Sequence, residues 1–157
     1  MTITCGHLCT RPDSLLAVSA AASAGFAFDP LVREFLDEFY IADTARRQAG
    51  LDAEPLRLSG IKDAYLAAIA EHLALRFGLD TPAWSNAPWR FLSEPFFAGG
   101  MEGLKPLLLV ESPLTFRRRL IFISHDTLSR PRDPDFQKLA HLAACDSLGE
   151  CDETKPC

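Results

Sequence analysis

Residues 60–77 place the tightest constraint on what this chain can fold into. Ile61, Tyr65, Leu66, Ile69, Leu73 and Phe77 recur through them at short helical steps, and alanines stand at 64, 67, 68, 70 and 74. Apolar residues three and four apart share one helix face. Alanine is the strongest helix former and lets a neighbour approach closely. Ser59 is placed to cap the start, and Gly78 to close the end in a left-handed conformation. The spacing predicts a helix over 60–77, the most buried of the molecule, with the remaining chain arranged around it.

A second long helix is predicted over 30–48. Asp29-Pro30 reads as an N-cap followed by proline at the first helical position, where the missing N–H is not needed. Leu31, Phe35, Leu36 and Phe39 form its apolar stripe, Arg33, Glu34, Asp37 and Glu38 take the other face, and Gly50 ends it. Residues 51–58, with Pro55, then read as a linker. Ahead of this helix, Pro12 to Ala24 is helix-permissive and stops at Gly25.

Beyond Gly78 the pattern changes. Pro82, Trp84, Pro88, Trp89, Phe91, Pro95, Phe96 and Phe97 forbid a long helix but allow a short one over 87–93. Rings at this density are expected to form a lid over the two long helices. Leu104–Val110 is expected to be helical, with Pro106 early and no β-branched residue before Val110. Ser112-Pro113 starts a short helix reaching Arg119, and Leu120–Ile123 is the only credible strand. Asp133 or Asp135 opens a last helix with Phe136, Leu139, Leu142 and Ala143 on one face. The fold class expected is all-α: a compact bundle with an aromatic, proline-rich cap and at most one short strand. Its divisions are an N-terminal segment (1–28), a helical core domain (29–132) and an acidic C-terminal helix and tail (133–157).

At 157 residues and 48% apolar composition, the chain has the size and core of one domain. Its net charge of −5 argues against a dominant basic surface for nucleic acid. The charge is uneven, however. Residues 79–132 hold 7 basic and 5 acidic residues, net +2, whereas residues 133–157 hold 2 basic and 6 acidic, net −4. No apolar run is long enough to span a membrane. The five cysteines, 5, 9, 145, 151 and 157, lie only at the ends. An odd number placed so is no disulfide framework, and a cytoplasmic chain with reduced thiols is expected.

Arg117-Arg118-Arg119 is the sharpest charge cluster. Guanidinium forks suit carboxylate or phosphate, but successive helical residues point about 100° apart, so at most two can serve one ligand. One of the three is expected to pair with an internal carboxylate such as Glu111. Ser124-His125-Asp126 is not a catalytic triad, because consecutive residues diverge. Cys5, His7, Cys9, His141 and Cys145 lack the paired spacing of a structural zinc site. No catalytic residue, cofactor or metal is therefore expected.

Ala64-Tyr65-Leu66-Ala67-Ala68, Glu71-His72-Leu73-Ala74, Pro82-Ala83-Trp84 and Arg90-Phe91-Leu92 lead into Val110-Glu111-Ser112-Pro113, Phe116-Arg117-Arg118-Arg119 and Ile121-Phe122-Ile123. This string, within 60–123, resembles a little-characterised bacterial family of actinomycete-type genomes. Its members often carry a helix-turn-helix region ahead of the segment and lie beside genes for nucleotidyltransferase-like toxins. The resemblance implies an antitoxin-like or regulatory role and carries over no catalytic residue. This chain departs from it in having no DNA-reading domain before residue 29 and in its cysteine-bearing ends.

The leading expectation is a non-catalytic module that binds a protein partner, a cognate toxin among the candidates. Its contact residues are Glu111, Phe116, Arg117, Arg118, Arg119, Trp84 and Trp89, since interfaces concentrate energy on Trp and Arg. Two alternatives stay open. One is an enzyme with His72, His125 or Glu111 in a cleft between the long helices and the aromatic strip. The other is a DNA-binding regulator using the basic middle segment.

Overall fold

The computed structural model describes residues 11–131. Six α-helices run in the order α1 (Leu15–Ser23), α2 (Phe28–Ile41), α3 (Thr44–Asp52), α4 (Gly60–Phe77), α5 (Lys105–Glu111) and α6 (Leu114–Arg117). Two-residue strands β1 (Phe96–Phe97) and β2 (Ile121–Phe122) pair in parallel, Phe96 opposite Ile121 and Phe97 opposite Phe122. The described chain is mainly helical, as expected, with two short strands where at most one was foreseen. None of its helices is long and apolar enough to cross a membrane.

Helix α4 is the centre. Ala64, Leu66, Ala68, Ile69, Ala70, Leu73 and Ala74 along it all lie in the core. A helix apolar around most of its circumference must be covered on several sides. Here the cover is α3, α6 and the 3-10 turns Ala83–Asn86 and Pro88–Arg90, with α2 meeting it through the ring pairs Phe28–Tyr65 and Phe39–Phe77. Gly78 ends α4 at φ 64°, and its N–H donates to the Ala74 carbonyl. At the other end, Ser59 makes no side-chain cap. The carboxylate of Asp63 instead accepts from the N–H of Leu58 at 2.9 Å.

The helix expected over 30–48 is two helices. The break falls at Ala42-Asp43, where Asp43 caps α3 by accepting from the N–H of Arg46 at 2.8 Å. The start differs as well: α2 opens at Phe28, with no side-chain cap from Asp29. Gly50, expected as a terminator, lies inside α3, which runs on into the supposed linker. A Cβ at Gly50 would come within 2.9 Å of the Asp13 carbonyl. That residue is therefore small so that α3 can press against the start of α1. Helix α1 itself places Leu15 and Val18 in the same core that reaches Leu128.

The aromatic stretch forms two 3-10 turns in place of the helix expected over 87–93. Trp84 is held there by its indole N–H, which donates to the Leu51 carbonyl at 3.0 Å. The parallel strands bring Phe97 and Phe122 into a stack with 4.7 Å between centroids. Ser112 ties α5 to β2, since its hydroxyl accepts from the N–H of Ile123 at 2.7 Å. The C-terminal helix expected after Asp133, the five cysteines and His141 lie outside the described residues.

Candidate functional site

Three arginines in sequence end in three different environments. Helix α6 and the turn after it rotate Arg117 outward, Arg118 along the surface and Arg119 into the interior. Arg119 has no exposed surface. Its guanidinium pairs with Glu71 and donates to the Thr115 carbonyl at 2.9 Å and the Ser85 carbonyl at 2.8 Å. The ring of Phe91 lies 4.9 Å from the same guanidinium. Burial pulls the Arg119 pKa below its ordinary value, and its hydrogen bond to Glu71 opposes that pull.

This corrects the placing of Arg119 and Phe116 among the contact residues. Arg119 is an internal cation and cannot touch a partner, and Phe116 is likewise fully buried, its ring 5.3 Å from that of Tyr65. The physical reason lies in α4. Glu71 is buried on α4 between Ala70 and Leu73, where an ionised carboxylate needs a counter-charge and hydrogen bonds. It takes two guanidinium groups, Arg119 and Arg118, the latter at 2.5 Å. The internal carboxylate that receives Arg118 and Arg119 is thus Glu71 and not Glu111.

A second buried cation lies nearby. Arg90 is fully buried, donates to the Pro55 carbonyl at 3.0 Å and stacks 4.6 Å from the Trp84 ring. Glu54 lies 3.4 Å from it at the protein edge. Both guanidiniums are held by carbonyl oxygens and aromatic faces, the mode to which a weakly hydrated planar cation is suited. They clamp the aromatic stretch onto α4.

What remains outward is smaller than the predicted set. Trp89 is 42% exposed, with the Arg57 guanidinium 5.1 Å from its ring. Two residues on, Phe91 carries Arg118 at 5.5 Å, and Arg118 also donates to Asn86 at 3.3 Å. Trp84 is half-buried beneath this layer. Neither Arg57 nor Arg117 has a carboxylate partner among the described residues. Sequence reasoning missed Arg57, Phe91 and Glu71. Glu71, a carboxylate in the middle of the alanine-rich stretch of α4, was the signal that a cation had to lie against it.

Glu111 belongs to a separate cluster. Its carboxylate accepts from the Ser124 hydroxyl at 3.2 Å and lies 3.6 Å from His125 Nδ1. In a hydrolytic triad the hydroxyl faces the imidazole and the imidazole faces the carboxylate. Here the hydroxyl faces the carboxylate, so the histidine does not activate it. His72 sits half-buried with its ring 6.3 Å from that of Phe116, and burial, reinforced by Arg76, pushes its pKa down from 6.5. Comparison with known proteins adds no relative: no family model, curated protein or solved structure matches the chain.

Proposed function

We propose that this chain is a non-catalytic helical module that binds a protein partner, in the manner of an antitoxin or regulatory subunit. The observation that carries the reading is the exposed Trp89–Arg57 stack beside the Phe91–Arg118 pair. Tryptophan and arginine are the residue types that dominate binding energy at interfaces, and aromatic faces pre-order the guanidiniums for a carboxylate. The stack is set on a rigid base, because the buried Arg90 and Arg119 fix the segment that carries it. Arg57 and Arg117, which have no carboxylate partner among the described residues, favour a partner with an acidic face.

The test is affinity capture of the product of the adjacent gene by the full chain. Trp89→Ala and Arg57→Ala are expected to weaken capture about 30-fold each, the equivalent of roughly 2 kcal/mol for a hot-spot residue. Thermal unfolding should barely move, since both side chains are on the surface. Capture unchanged in both variants removes this face from the interface.

A further inference from the structure

We propose that the groove between the starts of α2 and α4 is a binding site for a small aromatic carboxylate. Five parts of the chain wall it: the start of α2, the start of α4, β1 with the residues after it, the turn after β2, and Arg130. Its volume of about 1000 Å³ stands at the upper end of the roughly 300–1,000 Å³ of small-molecule sites. Phe28, Val32, Tyr65, Phe96 and Ile123 supply its apolar lining. The rings of Phe28 and Tyr65 stand edge to face, 6.0 Å apart at 78°, and form a corner that suits a flat ring.

The polar groups in the same wall decide the charge of the occupant. The Tyr65 hydroxyl has no hydrogen-bond partner among the described residues and is not sealed from solvent. Burial holds its proton in place, with Asp29 adding to the effect and Arg130 and Arg33 opposing it. Those three charged groups are therefore gathered around the phenol, two from α2 and one from the far end of the described chain. Lys62 reaches over the Phe28 ring, its Nζ 5.7 Å from the centroid.

The balance of charge favours one negative charge. Three cations, Arg33, Lys62 and Arg130, and two carboxylates, Asp29 and Asp126, line the groove, a net of +1. Arg130 faces Asp37 at 3.4 Å, whereas Arg33 and Lys62 have no carboxylate partner among the described residues. A carboxylate has acceptor sites enough for the phenol, the ammonium and a guanidinium together. The second charge of a phosphate monoester would instead meet Asp29 and Asp126. Trp89 and Arg57 take no part in this wall, so the site stands or falls apart from the partner-binding reading.

The probe is 2-naphthoate, titrated calorimetrically into the full chain. One saturable site at about 1 mM or tighter is expected, within the efficiency of ligands of this size. Uncharged 2-naphthamide should bind at least about tenfold more weakly, and 2-naphthyl phosphate no more tightly than the carboxylate. Arg33→Gln and Lys62→Met, both at exposed positions, should each weaken binding about five- to tenfold with thermal unfolding unchanged. Tyr65→Phe keeps the ring and should weaken it about three- to tenfold. Trp89→Ala should leave it unaltered. The proposal is overturned if no saturable binding is seen, if the amide binds as well as the acid, or if the phosphate binds more tightly. Affinity indifferent to all three groove variants overturns it too. Binding lost in Trp89→Ala places the probe on the other face and is equally fatal.

Discussion

Glu71 receives two guanidinium groups and lies almost wholly out of water, so its contribution depends on what remains when it is neutralised. Removing one member of a buried pair leaves the other charge without compensation, at a cost of about 3–5 kcal/mol. Glu71→Gln is accordingly expected to lower the unfolding free energy obtained from urea denaturation by that amount while the helical circular dichroism is retained. Joint replacement by Glu71→Leu and Arg119→Met should lose less, because no charge is then left buried. A single variant as stable as the wild type would show that Arg119 finds enough compensation in the Thr115 and Ser85 carbonyls. The triplet of arginines was legible in the sequence, but which of them turns inward was not. That choice depends on the turn after α6, where Leu120 adopts φ 59°, a left-handed conformation rare outside glycine.

At the scale of elements, α4 was the most legible because its signals agree: apolar spacing, alanines, and a glycine at its end. The α2–α3 break was not legible by periodicity, since the pattern of charged and apolar residues runs across it. The local marker was Asp43, a cap placed inside an otherwise continuous helical stretch. Gly50 shows the same limit from the other side. Replacing a glycine inside a helix by alanine ordinarily stabilises by up to about 1 kcal/mol. At Gly50 the added methyl meets the Asp13 backbone carbonyl at 2.9 Å. Gly50→Ala is therefore expected to destabilise by about 1–3 kcal/mol, the usual range for overpacking. A stabilised variant in chemical denaturation would mean that α1 and α3 can separate without loss.

For the molecule as a whole, two half-buried rings contribute to the pH dependence of stability. Tyr65 lies where α2, α4 and the ends of the strands meet, beside a groove of about 1000 Å³. Burial, with a smaller push from Asp29, raises its pKa from 10.0 to about 12. The unfolded chain thus loses this proton first, and stability falls as pH rises from 10 towards 12. His72 works at the other end. Its lowered pKa means that the unfolded chain gains a proton first as pH drops below 6.5, so stability falls with acid. In denaturation midpoints followed against pH, Tyr65→Phe should flatten the alkaline limb and His72→Gln part of the acid limb. Unchanged slopes would mean that neither ring is shielded from water in solution.

The sequence by itself determined that the chain is helical, where its longest buried helix begins and ends, and that the segment after it is an aromatic cover. These follow from spacing and backbone preference, which act over a few residues and are written locally. Only the tertiary structure decided that one long helix is two, that one arginine of three is internal, and which apolar side chains stay in solvent. Those outcomes depend on partners distant in the chain: Asp13 for Gly50, Glu71 for Arg119, and the core contact through Leu108 that leaves Val110 outside. A periodic pattern states that a residue wants company; packing decides whether that company comes from the same chain.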